Sequence, residues 1–247
     1  MCLLRRQRLS LGTFKRSLCC GMAALLSTSA LAAEGASRNI RIDPFDRLIL
    51  FSSDTVIIES GATSASVDVT GPAEVIAAVS IRQVGRVLEV SRLNQPSRDT
   101  NAVIVIKTPS VSQIELNSSG SIELAPGHLD RLAAIVRGSG TINLPGLDGS
   151  NGAFEAAGSG HLKIRGRIDQ VDLTVSGSGS VAAEQLNAAT LRASVTGSGT
   201  LAAQARSAAT LLIAGSGTGH ISGTANCQVT VTGAGRGFCT PAAAHRN

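Results

Sequence analysis

The chain contains no Trp and no Tyr, and aromatic residues fill only 2% of its 247 positions. Any core it builds must be packed from Val, Ile, Leu and Ala. Single-stranded nucleic acid and sugars are usually gripped on aromatic faces, and such faces are nearly missing here. Acidic residues are absent from the first 32 positions, which hold Arg5, Arg6, Arg8, Lys15 and Arg16. The apolar run behind them, "LCCGMAALLSTSALA", is too short to span a bilayer and ends in small residues. Ala30-Leu31-Ala32 is an A-x-A cleavage signal. Residues 1–32 therefore read as a signal peptide cut between Ala32 and Ala33; an N-terminal anchor would need a longer run. Arg5-Arg6 would suit twin-arginine export, but Arg8 stands where that signal wants a hydrophobic residue, so ordinary secretion is expected. Neither Cys19 nor Cys20 follows a lipobox-like pattern. The product would be periplasmic, outer-surface or secreted, with no integral membrane segment.

Cleavage removes the charge imbalance too. The whole chain is +5, but five of its 22 basic residues and none of its 17 acidic ones leave with the leader. The mature chain is formally neutral, so no basic surface argues for nucleic acid. Of five cysteines, Cys2, Cys19 and Cys20 go as well. Cys227 and Cys239 remain, and in an exported chain one even pair reads as a disulfide. A zinc site is the alternative, with His220 and His245 the nearby candidates for further ligands. No metal or cofactor is expected.

What the chain has in quantity is Gly, 27 in all. Much of it falls in a recurring bend, Gly-Ser-Gly. The last Gly of each bend is Gly120, Gly140, Gly160, Gly179, Gly199, Gly217 or Gly235, at spacings of 20, 20, 19, 20, 18 and 18. The first Gly is Gly138, Gly158, Gly177, Gly197, Gly215 or Gly233; the earliest bend is Ser118-Ser119-Gly120 and the last Gly233-Ala234-Gly235. A fixed period of this size marks a stacked solenoid. Apolar residues alternate on both sides of the bend. Ile122, Ile142, Leu162, Val181 and Leu201 stand two places after it, and Leu116, Val136, Ala156, Val175, Val195, Ile213 and Val231 four places before it. Period-two alternation means strands with one buried face. The Ala-rich "AAEQLNAATL" and "LAAQARSAATL" mimic helices, but their columns stay in register with clear strands.

Each repeat is thus expected to be one coil of an all-β parallel solenoid, with about seven coils and a rod roughly 30–35 Å long at the usual strand spacing. The bends are structural corners, where Gly tolerates positive φ and close backbone approach and the Ser hydroxyl can satisfy corner backbone groups. Residues 33–43 read as a linker and 44–240 as a single domain. Within it, 44–110 would be irregular first coils and their cover, 111–226 the repeats, and 227–240 a disulfide-closed cap; 241–247 is a tail. The strand runs of the first part are "LILFS", "VIIES", "ASVDV", "VIAAVSI", "VLEVS" and "AVIVIK", with "NQPSRDTN" a polar loop.

"PFDRLILFSSDTVIIESG", "VLEVSR" and "VIVIKTPSVSQIELNSSGSIEL", followed by serial Gly-Ser-Gly bends, resemble the "putative auto-transporter adhesin, head GIN domain" family over roughly residues 44–240. The resemblance implies a right-handed β-helix in exported bacterial proteins, an adhesin-like role and no catalytic residues to carry over. The family often has Asp after the bend. Here that place holds Ser121, Thr141, His161, Ser180, Thr200, Thr218 and Arg236, which speaks against an acidic cation ladder.

Three functions compete. A polysaccharide lyase or hydrolase would need paired carboxylates. Glu123, Asn143 and Lys163 share a column but differ in charge, Glu115 and Glu155 lie two coils apart, and Asp172 and Arg192 read as a surface ion pair. A binding module would use the hydroxyl row Ser121, Thr141, His161, Ser180, Thr200 and Thr218 against a glycan or an envelope or surface protein, although a solvated stripe explains that row as well. A structural envelope protein would self-associate through its ends or its stripe, which a neutral chain permits. His128, His161, His220 and His245 show no triad or ligand spacing. The expected function is an exported adhesin-like or structural module without catalysis.

Overall fold

Val175 and Val195 are vertical neighbours. In the computed structural model their column runs Leu116, Val136, Ala156, Val175, Val195, Ile213, Val231 through successive parallel strands. The structure describes residues 36–93, 100–224 and 226–241; the signal peptide, most of "NQPSRDTN" and the tail after Pro241 lie outside them. The inward columns are almost wholly buried, and buried Ile, Leu and Val run continuously along the rod. Each such side chain contributes about 1.5–3 kcal/mol on leaving water. Alternation places them there, because every second residue of a strand points to the same face.

The chain opens with β1 (Ala36–Arg41), β2 (Arg47–Leu50), β3 (Thr55–Ser60) and β4 (Ser66–Gly71). Then come α1 (Ala73–Ala78), β5 (Val79–Val84), β6 (Val87–Arg92) and β7 (Val103–Thr108). β8 (Gln113–Leu116), β9 (Ser121–Leu124), β10 (Gly127–His128) and β11 (Arg131–Val136) lead into the repeats. These are β12 (Thr141–Gly158), β13 (His161–Gly177), β14 (Ser180–Gly197) and β15 (Thr200–Gly215), followed by β16 (Thr218–Ser222), β17 (Cys227–Thr232) and β18 (Arg236–Thr240). The solenoid has about six turns where the bends suggest seven. The last bend joins two short edge strands and closes no complete turn.

The bend combines two demands. From Gly158 onward its first Gly has positive φ, +122° at Gly177. Its last Gly has ordinary φ, is buried from Gly120 to Gly217, and is needed for space: a Cβ on Gly199 would lie 2.6 Å from the Gly179 oxygen and 2.4 Å from Val175 Cγ1. The ladder runs through the corner, with Ser178 N–H donating to Gly158 C=O at 2.9 Å and Ser180 N–H to Gly160 C=O at 3.0 Å. The backbone is therefore satisfied without help. Ser139, Ser159, Ser178, Ser198 and Ser216 face solvent, and their hydroxyls make no hydrogen bond among the described residues. Among the described residues hydroxyl capping occurs only at the first corner, where Ser118 Oγ donates to Ser52 C=O (2.5 Å) and accepts from Gly120 N–H (3.3 Å).

The uneven spacing is absorbed on the far side of each coil. Register shifts fall between Leu144 and Leu147, between Lys163 and Arg165, and between Ala183 and Thr190, whereas the Gly-Ser-Gly corners stay aligned. A bend whose backbones touch cannot take an insertion; a looser one can.

The first part of the chain departs from the sequence reading in three ways. β1 and its pairing with β4 occupy positions 36–41 of the expected linker, because β1 covers the open edge of β4. "VIAAVSI" is divided between a short helix and a strand. Pro72 stands at the helix N-cap, Val75 and Ile76 are buried on the end of the core, and Val79 begins β5. Third, the coils are not stacked in chain order. β2 pairs in parallel with both β6 and β8, and β3 with both β7 and β9. The first rung in sequence is thus sandwiched between the second and the third. Beyond β6 and β7 the chain runs backwards, β4 antiparallel to β7 and β5 antiparallel to β6. This reversed coil, with α1 laid on it, seals one end of the rod. It keeps the strand edge from propagating, and Arg38 and Arg41 on β1 add charge there.

At the other end Cys227 and Cys239 form the expected disulfide, their Cα atoms 6.4 Å apart. Cys227 follows Ala209 in its column and Cys239 follows Ile221, so the bridge crosses the inside of the last rung. The closure is incomplete: Val229 and Val231 stay 37% and 41% exposed, with no rung beneath them. Replacing both cysteines by Ala is expected to remove about 2–3 kcal/mol. In a solenoid that loss is local. Hydrogen exchange should show protection lost over 227–240 and kept over 161–177; protection lost throughout would contradict the stacked-rung account.

Candidate functional site

A groove of about 580 Å³ runs along the rod, crossing β11 to β15. Two outward columns line it. One is Arg131, Asn151, Gln170, Thr190, Ala208 and the other Ala133, Ala153, Asp172, Arg192, Thr210. Between them the side chains of Leu132, Val171 and Leu191 turn inward, so backbone forms the floor. Gly152 has no side chain there because the Phe154 ring occupies that space; a Cβ would lie 2.5 Å from it. Small residues at Ala133, Ala153 and Ala208 keep the surface low between longer flanks. Five rungs at the usual strand spacing make the groove roughly 19 Å long.

Amides, hydroxyls and guanidinium groups are available to a ligand along this length. Asp172 and Arg192 are neighbours in register, as the sequence suggests, but the expected ion pair between them does not form. Among the described residues Arg131, Asp172 and Arg192 make no salt bridge, so their charges remain available to solvent or ligand. Asp172 is the one carboxylate lining the groove, whereas glycoside cleavage uses two. No cluster of metal-ligating side chains occurs among the described residues.

The hydroxyl row is a true ladder in space. Thr55, Ser121, Thr141, His161, Ser180, Thr200, Thr218 and Arg236 follow one another in register. Thr55 extends it through the sandwiched rung, which the sequence does not reveal. Members of the row bond to each other: Ser121 Oγ donates to Thr55 Oγ1 at 3.2 Å, and His161 Nδ1 lies 2.7 Å from Ser180 Oγ. None of them lines the groove. Of the remaining named histidines, His220 stacks on Phe238, with centroids 4.5 Å apart, and reaches Thr240 Oγ1 at 2.7 Å. The zinc alternative is thereby replaced by the disulfide and this stack; His245 lies outside the described residues.

Glu115 and His128 each sit in a charged cluster away from the groove. Glu115 is nearly buried between Arg47 (2.5 Å) and Arg137, with Asn117 donating at 2.9 Å. Burial pushes its carboxyl up, but the hydrogen bonds from Arg47 and Asn117 and the charge and bond of Arg137 outweigh this and hold it below the usual value. Glu115 and Glu155 share a column through Ile135, two rungs apart, and so form no acid–base pair.

His128 bridges Asp148 (3.2 Å) and Asp130 (3.3 Å) on the surface. Its hydrogen bonds to Asp148 and then Asp130 raise its pKa. The protonated form is favoured by folding, so this contribution is whole below the unfolded value and fades as pH rises through the raised one. An NMR titration is expected to give a His128 midpoint above about 6.5, moving back down in Asp148→Asn. An unchanged midpoint in that variant would remove Asp148 as the cause.

No curated protein sequence matches the chain significantly. Solved structures do. A putative adhesin from Bacteroides fragilis NCTC 9343 superposes with a TM-score of 0.78 at 18% identity, covering 85% of this chain and 98% of that one. A putative lipid binding protein from Parabacteroides distasonis ATCC 8503 gives 0.69 at 18% identity, covering 86% and 98%. A putative adhesin from the same organism gives 0.70 at 18% identity, covering 83% and 96%. At these identities the likeness is one of fold. The family profile itself matches residues 44–225, from just before β2 to just past β16, and the chain belongs to the family described as "Putative auto-transporter adhesin, head GIN domain".

Proposed function

We propose that this protein is an exported, adhesin-like binding module of the cell envelope that performs no catalysis. Residues 1–32 direct export and are removed after Ala32. The solenoid then acts as a stiff support that displays a polar groove to an extended partner, a glycan on a cell or envelope surface. The observation that carries this reading is the five-rung groove with its polar lining, whose charged residues make no salt bridge among the described residues, on a family scaffold described as an adhesin. The Ser/Thr ladder is read as a solvated face, since its hydroxyls partly bond to one another. No helix among the described residues is long and apolar enough to cross a membrane. Labelled mature protein is expected to bind bacterial envelope fragments or intact cells. It should lose that binding when bulky residues fill the groove floor's rim, as in Ala153→Trp. Binding that ignores this substitution would move the site elsewhere; no binding to any surface would end the reading.

The open end supports a second reading. Val229 and Val231 are exposed, and β17 and β18 carry no acidic residue. Self-association through this end would bury them. Sedimentation of the mature chain tests it, and a strict monomer at high concentration rules it out.

A further inference from the structure

We infer that the groove takes a linear glycan bearing sparse acidic groups, lying along the rod with a carboxylate or sulfate near Arg131 and another near Arg192. The inference rests on the binding-module reading and sharpens it. Neither guanidinium has a carboxylate partner among the described residues, and both line the groove. They sit in opposite columns three rungs apart, roughly 14 Å along the rod at the usual strand spacing. Asp172 stands between them, one rung from Arg192 in the same column. A densely charged polyanion would have to place a negative group against Asp172, which disfavours it. A wholly neutral glycan would leave both cations unused.

The lining between the charges has the chemistry for sugar hydroxyls. Asn151 and Gln170 offer donors and an acceptor each, and Thr190 and Thr210 a hydroxyl each. A peptide strand is less suited, because strand addition needs a free backbone edge and every strand under the groove is already paired on both sides within the ladder or covered. Nucleic acid needs a dense row of cations, and two are present here. Without an aromatic platform each site is weak, so useful binding depends on many copies meeting a long polymer.

The test uses the full mature chain and a linear β-linked glucan, unmodified and carboxymethylated or sulfated to graded extents. Affinity is expected to rise from the unmodified to the sparsely substituted polymer and fall again at dense substitution. Arg131→Gln and Arg192→Gln should each weaken the sparse form about fivefold and leave the unmodified form nearly unchanged. Asp172→Asn should move the optimum towards denser substitution. Circular dichroism confirms that each variant folds. Equal binding of neutral and sparse polymers, unaffected by the Arg variants, overturns this inference while the binding-module reading stands. Absence of binding to every glucan, with envelope binding intact, also overturns it; loss of both ends the two readings together.

Discussion

Replacing Asp54 by Ala is expected to cost about 3–5 kcal/mol, the loss that follows when one partner of a buried ion pair is removed. Asp54 is fully buried and Arg92 is 5% exposed. Asp54 Oδ2 accepts from Arg92 Nε at 3.0 Å and from Ser52 Oγ at 2.6 Å, and Oδ1 accepts from Ala102 N–H at 2.7 Å and from the second Arg92 nitrogen. Arg92 also donates to Thr100 C=O at 3.1 Å. The position explains the cost. Thr55 pairs with Ser121, so Asp54 fills the place that Gly120 and the later corner glycines hold in their own rungs. Ten positions separate the end of β6 from the start of β7, and Asp54 bonds to Arg92 and Ala102 at the two ends of that stretch. Urea unfolding of Asp54→Ala should show the full loss. The double variant Asp54→Ala, Arg92→Ala should lose clearly less than the sum of the singles, since neither leaves the other charge stranded. Additive losses would mean the two residues act independently.

Gly177→Ala should be the most damaging of the three changes at its own corner. Ala at φ +122° is strained, and its Cβ would lie 2.7 Å from the Gly158 oxygen. That oxygen is fixed by accepting Ser178 N–H. Backbone strain and overpacking cost about 1–3 kcal/mol each. Gly179→Ala should cost less: its φ is ordinary, although its Cβ would lie 2.6 Å from the Gly160 oxygen. Ser178→Ala should fall within about 0.5 kcal/mol, being exposed with an idle hydroxyl. Chemical denaturation of the three variants checks the order. If Gly177→Ala is as mild as Ser178→Ala, the tripeptide recurs for another reason.

The repeat was legible because each rung lays the same residue class over the same class below. The column from Leu116 to Val231 could be written from spacing alone. The second bend of each coil was not, because no letter marks it: Pro145-Gly146, Arg165-Gly166, Glu184-Gln185 and Gln204 serve in turn. Nor was the order of the first rungs. "VIIES", "VLEVS" and "AVIVIK" alternate alike, and alternation states which face is buried without naming the neighbour. One clue was present in the letters, since "SSD" before Thr55 aligns with "SSG" before Ser121 and sets an Asp at the glycine place. The hydroxyl row was visible as a ladder, whereas the groove was hidden. Its concavity arises from small residues beside long ones on several rungs, and that is a property of stacking.

The sandwiched rung has a consequence for the nascent chain. Synthesis delivers β2 and β3 before either of the strand pairs that will flank them. β2 gains its first neighbour only once Arg92 has followed and β3 only after Thr108, and their second edges are not both covered until Leu124 has followed. A chaperone that holds uncovered strand edges would find its work here, at residues 47–60, and far less along the repeats, where each new coil closes on one already made.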